Sequence, residues 1–574
     1  MYREEKPGKM IPFLISVVLT AALAVIVVLK FGMVYASNDD EQLRNIVSGI
    51  YTGTPDAHMI YVMYPLGLIL KGLYNIAGKV SWYDGFLTLM HFLCIFLILY
   101  RVGLVFKSLS GRLVAMAAGF VLTVVFEFSS ILVTQYTSLA GFIAATAIFW
   151  LVTVNFAHKP KSDAAVVIFL FIITLWLRKQ VFFLSLPFAV LGLLFDIFDN
   201  NDTVSERFEK FKDCLVPVIV AAVLVLVSFG IEMWAYSSDE WKAFKEFNAA
   251  RTEVYDYDGL PDYNTNTEFY EELGISEAMY TGLREGDRVV MDAISTDTLV
   301  SLYTKAGEIS EEWARYYSVP RKVIEDTVSA MVGKNAEPLA IFTTIIFFML
   351  FIFLMVNDEK LAGAVIAAVY AFEWLFVGYF TYLQRLPERV THGFFMMELM
   401  FFMAVFIRVI KRSRLLLQTS LFWQILVCAS TLVLSASFLL YTYRTASDAL
   451  SAKCEKAQEW QELNDYFKSN PDNIYIVNRA LFSNSTDVMF AENEADAHNT
   501  LMYNWCMKSP LESERLERLD ITGVEEALSA GENTYYVLGA SKSFDWLETL
   551  YGELEITDTV TLSNGVSIYI IKVR

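Results

Sequence analysis

The run VYASNDDEQLRNIVSG (34–49) sets two adjacent carboxylates, Asp39 and Asp40, just past the first apolar stretch of a 574-residue chain. Carboxylates in such a place are the groups that general acid–base chemistry uses, so the pair is either the start of a helix or the working end of an enzyme. Two cationic clusters offer complementary chemistry. Arg178-Lys179-Gln180 is the whole turn between two apolar runs, and QRLPERV (384–390) spaces Arg385 and Arg389 four apart around Pro387. Arginine presents a planar fork of donors that matches phosphate oxygens, and lysine adds a point charge. Recessed positive charge of this kind suits the phosphate or pyrophosphate head group of a lipid. Each motif also has a plain structural reading. The cations can anchor at the interface by snorkelling or pair with Glu388. Asn38 can cap a helix with Asp39, Asp40 and Glu41 in its first turn, and Asn38-x-x-Glu41 fits a capping box favoured by the helix dipole.

Other ionisable residues fall within or beside apolar segments, where they are costly and usually face an interior cavity. Glu127 and Glu232 lie toward the outer ends of their segments, where a shared cavity could open. Glu373 and Glu398 sit nearer mid-membrane and read equally as hydrogen-bonded packing residues. His91 and His392 are lone histidines of the core or interface kind, while His58, beside Asp56, and Tyr64 are further cavity candidates. The sequence holds no HxH, HExxH or paired CxxC, which argues against a tight transition-metal site.

The elements that must position these residues are membrane helices. The chain is 55% hydrophobic and 15% aromatic, with a mean hydropathy of +0.43, too apolar for an ordinary soluble protein. Apolar runs at 11–35, 85–106, 113–133, 136–156, 164–177, 180–198, 214–236, 338–356, 361–383, 391–410 and 420–442 predict about eleven spans at about 20 residues each. The net charge of −19 is unevenly spread: residues 237–336 carry 20 acidic and 10 basic side chains and 445–574 carry 22 and 10, leaving the rest slightly positive. Acidity thus belongs to two soluble parts, which argues against nucleic acid as a partner. Arg3, Lys6, Lys9, Lys107, Arg112, Lys159, Lys161, Arg207, Lys210, Lys212, Lys360, Arg408, Lys411, Arg412 and Arg414 fall at the N-terminus and on alternate loops. The positive-inside rule then places the N-terminus in the cytoplasm and the loop 36–84, the loop 237–336 and the tail 445–574 outside. The first run, at about 25 residues, is longer than a usual signal core, so an uncleaved span is expected despite the small-residue Val34-Tyr-Ala36.

Segment 59–77 is apolar but interrupted by Pro65, Gly67, Lys71 and Gly72. Counting it as a span would invert every later loop, so it is expected to lie in or dip into the outer interface, with Tyr61, Tyr64 and Tyr74 suited to that depth. Segment 237–336 is expected to form mostly short helices, with Asp256 and Asp258 solvated or capping. The tail opens with a polar helix over about 445–469, and NIYIV (473–477), TYYVLG (534–539) and VSIYIIKV (566–573) read as strands separated by helical patterns. That order predicts a small extracytoplasmic α/β domain serving as lid, scaffold or acceptor-handling module. Cys454 and Cys506 share this segment, either as a disulfide or as two free thiols.

An acidic pair directly after the first span, followed by the interfacial MYPLGLILKGLY, resembles the GT-C superfamily of polytopic membrane glycosyltransferases. Protein O-mannosyltransferases and lipid A aminoarabinose transferases belong to that group. The resemblance is carried by Asp39, Asp40 and this helix, covers the first 110 residues or so, and extends beyond them in topology alone. It implies a polyprenyl-phosphate-linked sugar as donor, an acceptor on a cell-surface glycan, lipid or protein, and transfer on the outer face of the plasma membrane. Asp39 or Asp40 would then be the catalytic base, and Arg178, Lys179, Arg385 and Arg389 would bind the lipid phosphate. A single displacement would invert the anomeric centre. A divalent cation, Mg or Mn, is compatible with hard oxygen ligands but not demanded.

Two rival classes use the same features. A transporter or flippase of a lipid-linked saccharide would also want recessed cations, but it predicts inverted repeats, and none is evident. A non-catalytic cell-envelope assembly protein would use the spans as an anchor, for which so many charge-bearing spans are excessive.

Overall fold

The computed structural model describes residues 9–106, 109–154, 161–198, 203–316, 319–334, 336–383, 385–413, 421–478, 488–490, 498–540, 542 and 544–574, with side chains such as those of Asn38, Asp258, 310–320 and 421–439 outside the description. Lys107, Lys159, Arg414 and Gln384 therefore lie outside it as well. The N-terminal half runs α1 (Met10–Ile26), β1 (Val34–Tyr35), α2 (Asn38–Ser48), α3 (Tyr64–Ile76), α4 (Trp82–Val105), α5 (Leu109–Leu132), β2 (Val133–Thr134), α6 (Tyr136–Thr153), α7 (Lys161–Leu177), α8 (Lys179–Ile197) and α9 (Val204–Ala235). Helices α10 (Asp239–Thr252), α11 (Thr267–Glu272), α12 (Glu277–Glu285), α13 (Arg288–Ala293), α14 (Thr296–Tyr316) and α15 (Val319–Val332) fill the long loop. Then follow α16 (Pro338–Val356), α17 (Lys360–Tyr382), α18 (Glu388–Ser413) and α19 (Leu421–Ser469).

Among the described residues nine helices, α1 with its π-helical continuation to Phe31, α4, α5, α6, α8, α9, α16, α17 and α18, are long and apolar enough to cross a membrane. These helices are consistent with a helical polytopic membrane protein, since inside a bilayer only a helix or closed barrel satisfies every backbone group. The span expected at 164–177, α7, is a shorter apolar helix. The eleventh and the polar helix after it merge into the unbroken 49-residue α19, so the expected domain boundary at 444/445 falls inside a helix. Helix α6 forms the centre of the bundle, buried along nearly its whole length, whereas α9 runs along the rim and is mostly exposed. Near their first turns α6 and α18 meet at Gly141 and Gly393, where a Cβ on Gly141 would stand 2.4 Å from the Gly393 Cα. Small residues at such a crossing let two backbones touch.

Segment 59–77 forms the 13-residue α3, too short to span, with Pro65, Leu66, Leu70 and Tyr74 buried and Leu68, Ile69 and Ile76 exposed. The tail carries a five-stranded sheet of order β4-β3-β5-β7-β6, built from β3 (Ile474–Val477), β4 (Thr500–Met502), β5 (Thr534–Gly539), β6 (Leu554–Thr561) and β7 (Ser567–Val573). The first three are parallel and the last two antiparallel. Successive residues alternate between faces: Tyr475, Val477 and Val537 pack on Trp460, Leu463 and Phe467 of α19. Ile476, Tyr536 and Leu538 pack the other way, against Val524, Leu528 and Leu547. Strands β4 and β6 were not expected from sequence. The first has three residues, and the second is a half-exposed edge strand with a register shift between Ile556 and Asp558.

Candidate functional site

Where α1 and α5 leave the bundle, β1 and β2 pair in parallel, Val34 opposite Val133 and Tyr35 opposite Thr134, and the Ala36 N–H donates to the Thr134 carbonyl at 2.8 Å. This small ladder brings the starts of α2 and α6 side by side. Ser37, one residue before the expected Asn38, occupies the N-cap position of α2, with Asp39, Asp40 and Glu41 in the first turn. Gly49 closes the helix in the left-handed region at φ +89°, and a Cβ there would lie 2.6 Å from the Pro55 nitrogen. Only glycine suits both demands. Helix α6 is capped by the Gln135 side chain, which accepts from the Thr137 and Ser138 amides.

The two aspartates point to different environments, as neighbours on a helix must, being about 100° apart. Asp40 is fully buried. Its Oδ1 accepts from the Tyr83 hydroxyl at 3.0 Å and from the Tyr136 amide at 3.1 Å, which ties α2 to α4 and α6. Burial, reinforced by the neighbouring Asp39 charge, holds the Asp40 carboxyl well above the usual carboxylate range despite the Tyr83 hydrogen bond. Asp39, half-buried, lines a cavity of about 480 Å³. Its Oδ1 accepts from the Trp505 indole at 3.0 Å.

The same cavity is lined by Arg178, Arg251, Arg385 and Arg389. Arg178, the N-cap residue of α8, donates to the Tyr136 hydroxyl at 2.9 Å and lies 5.7 Å from the Tyr61 ring centroid. Arg251, near the end of α10, donates to the Tyr503 and Tyr61 hydroxyls at 3.2 and 3.3 Å. Arg385 packs 4.2 Å over the Tyr257 ring and 3.9 Å from Asp256. Arg389 opens α18, and its carbonyl accepts from Ser138 of α6 at 3.3 Å. Tyr61 joins the cationic wall to the acidic one, because its ring also meets Trp505 at 4.7 Å. The cavity can therefore present a carboxylate and several guanidinium groups to one ligand.

Of the residues singled out in the sequence, Asp39, Arg178, Arg385 and Arg389 come together here. Asp40 does not: with no exposed surface it is placed to hold helices together, and its Oδ2 has no partner. Lys179 does not line the cavity and lies within electrostatic reach of Glu232 instead. His58 and Tyr64 also sit apart. His58 contacts Asp56 at 2.7 Å and stacks on Trp241, while the Tyr64 amide donates to Glu232 at 2.7 Å. Glu127 is buried in the bundle beside His392, 3.4 Å away, and His392 reaches Glu337 at 2.7 Å. Glu373 and Glu398 are likewise buried between α17 and α18.

Arg251, Tyr61, Trp505 and Asn464 line the cavity without having been site candidates in the sequence. Arg251 ends the amphipathic WKAFKEFNAAR, and a lone arginine there carries no signal of its own. Asp84, another residue the sequence did not flag, is fully buried and bonds the Tyr35 hydroxyl and the Phe490 amide. Cys454 and Cys506 are free thiols, and Cys506 instead accepts from Gln42 at 3.4 Å. Among the described residues no three His, Cys, Asp or Glu side chains gather to hold a metal ion. No family model matches the chain, and a search of curated proteins finds no significant match.

Proposed function

We propose that the chain is a GT-C-like membrane glycosyltransferase that moves a sugar from a polyprenyl-phosphate-linked donor to a cell-surface acceptor. In this reading the protein sits in the plasma membrane with its N-terminus cytoplasmic and the cavity on the outer face. The observation that carries the proposal is the meeting of Asp39 with Arg178, Arg251, Arg385 and Arg389 around one cavity at the ends of apolar helices.

The chemistry follows from those groups. Asp39 takes the proton of an acceptor hydroxyl while its oxygen attacks the anomeric carbon. The bond from that carbon to the phosphate oxygen breaks, and the lipid phosphate leaves with the bonding pair. The arginines offset the charge that gathers on the phosphate. One displacement inverts the anomeric configuration. Asp40 takes no part in proton transfer and serves to hold the start of α2.

The test is transfer from radiolabelled polyprenyl-phosphate sugars in membranes holding the full-length protein. Asp39→Asn should abolish transfer, whereas Asp40→Asn should retain most of it. Undiminished transfer by a well-folded Asp39→Asn protein would sink the assignment.

A further inference from the structure

Tyr61 reaches the cavity from a turn whose backbone is held under strain. The Met59 and Tyr61 amides donate two residues back, to the Ala57 and Met59 carbonyls at 3.0 and 2.7 Å. Between them Ile60 stands at φ +64°, in the left-handed region where a β-branched side chain is disfavoured. We propose that His58 is a positioning residue that clamps this turn as a doubly bonded imidazolium, holding Tyr61 in the cavity wall, and that loss of its proton loosens the turn. The proposal rests on the function proposed above only for what the cavity does.

Both ring nitrogens of His58 face acceptors. Nδ1 lies 2.7 Å from Asp56 Oδ1, which also accepts from the His58 amide, and Nε2 lies 3.2 Å from the Ala235 carbonyl at the end of α9. A neutral imidazole carries one N–H and can serve one of these acceptors; serving both takes the imidazolium. Although burial opposes it, the hydrogen bonds from His58 hold the Asp56 carboxyl below the usual carboxylate range, which keeps this acceptor charged. Trp241 of α10 stacks on the ring at 4.7 Å, and Tyr64 and Tyr236 close on it at 4.7 and 5.1 Å. Further charges act from the neighbouring elements. They are Lys71 of α3, 3.7 Å from Asp56 Oδ2, Glu232 of α9 with Lys179 and Lys245 in its reach, and Glu514 of the tail.

The clamp bears on the cavity through one residue. His58 fastens the turn to Ala235, and the Ile60 amide donates to the Tyr236 hydroxyl at 3.0 Å, so the strained residue is tied to the end of α9 from two points. Tyr61, next in the chain, accepts from Arg251 at 3.3 Å and places its ring 5.7 Å from the Arg178 guanidinium. Its ring also meets Trp505, the donor to Asp39. Strained backbone persists only where its surroundings over-determine it. A neutral imidazole must release either Asp56 or Ala235, after which Ile60 can relax and Tyr61 shifts from Arg251 and Trp505. Acidity therefore fixes this wall of the cavity, and rising pH loosens it.

The experiment measures hydrogen exchange in peptides covering residues 57–63 of the full-length protein in nanodiscs. It compares about pH 5 with about pH 8, which bracket the range in which histidine titrates. Rates are expressed as protection factors, which remove the chemical effect of pH on exchange. Wild-type protection should fall about tenfold or more at the higher pH, as a hydrogen bond to a charged group is lost. His58→Phe keeps a ring against Trp241 and removes both donors, so its protection should be low at both values. Adding Ile60→Asn, a residue that accepts the left-handed region, should recover protection without its pH dependence. Asp56→Asn serves should the phenylalanine protein misfold, and it should move the loss of protection to lower pH. Equal wild-type protection at the two values overturns the clamp, as does an unaltered pH response in His58→Phe. If protection follows His58 but no polyprenyl-phosphate donor yields sugar transfer, the clamp stands and the transferase reading falls. Transfer with flat protection removes the clamp and leaves that reading intact.

Discussion

The Trp505 indole donates a 3.0 Å hydrogen bond to Asp39 across 466 positions of sequence. The tail thereby fixes one oxygen of the carboxylate that lines the cavity, leaving the other for a substrate. Trp505→Phe keeps the ring and removes the donor. A hydrogen bond to a charged group contributes about 1.5–3 kcal/mol to stability, so the thermal midpoint should fall, and transfer should fall about tenfold or more as the carboxylate loses its fixed position. The rate of sugar transfer, measured beside thermal unfolding, checks this.

Asp40 makes stability depend on pH. Its folded-state carboxyl is held above the usual range chiefly by burial. Below about pH 4, the ordinary aspartate value, both folded and unfolded chains keep the proton and the contribution to stability is whole. As pH rises toward the folded value the unfolded chain releases the proton first, and that contribution is lost. As pH rises above about 4, the wild-type thermal midpoint should therefore decline more than that of Asp40→Asn, whose amide stays neutral throughout. Parallel curves for the two proteins would contradict the assignment.

Arg288 of α13 and Glu512 of α20 (Pro510–Arg518) form a buried ion pair at 2.6 Å, joining the long loop to the tail. Their side chains are 1% and 4% exposed, and Glu512 also bonds the Tyr51 hydroxyl. Removing one partner leaves an uncompensated buried charge, which costs about 3–5 kcal/mol. Arg288→Met should release the tail to limited proteolysis, and adding Glu512→Gln should recover much of the loss. A double-mutant cycle on thermal unfolding measures the coupling.

Gly141→Ala would drive a methyl into the Gly393 backbone and separate α6 from α18. Overpacking of this kind costs about 1–3 kcal/mol. Because Arg389 lies one turn before Gly393 and its carbonyl bonds Ser138 of α6, the displacement should also weaken polyprenyl phosphate binding several-fold. Binding and thermal stability should fall together, whereas Gly72→Ala, where a Cβ meets nothing inside α3, should leave binding unchanged and raise stability slightly, alanine being the better helix former.

Much of the helical layout was legible because lipid leaves the backbone one economical solution, so runs such as 338–356 and 361–383 announce themselves by length and composition. The same holds for the broken apolar segment that becomes α3 and for the alternating strands TYYVLG and VSIYIIKV. The sequence also singled out Asp39, Arg178, Arg385 and Arg389, because charge beside apolar segments is conspicuous. It was silent on where those charges point. Asp39 and Asp40 are equivalent as text, and only the packing of α2 against α4 and α6 buries one and turns the other toward the cavity. Trp505 and Asn464 lie far along the chain in segments with no motif, and their place depends on how the sheet and α19 dock onto the bundle. Composition and periodicity report what each segment must bury, a local property. Which side chains share a cavity is set by contacts between segments hundreds of residues apart, and those exist only once the chain has folded.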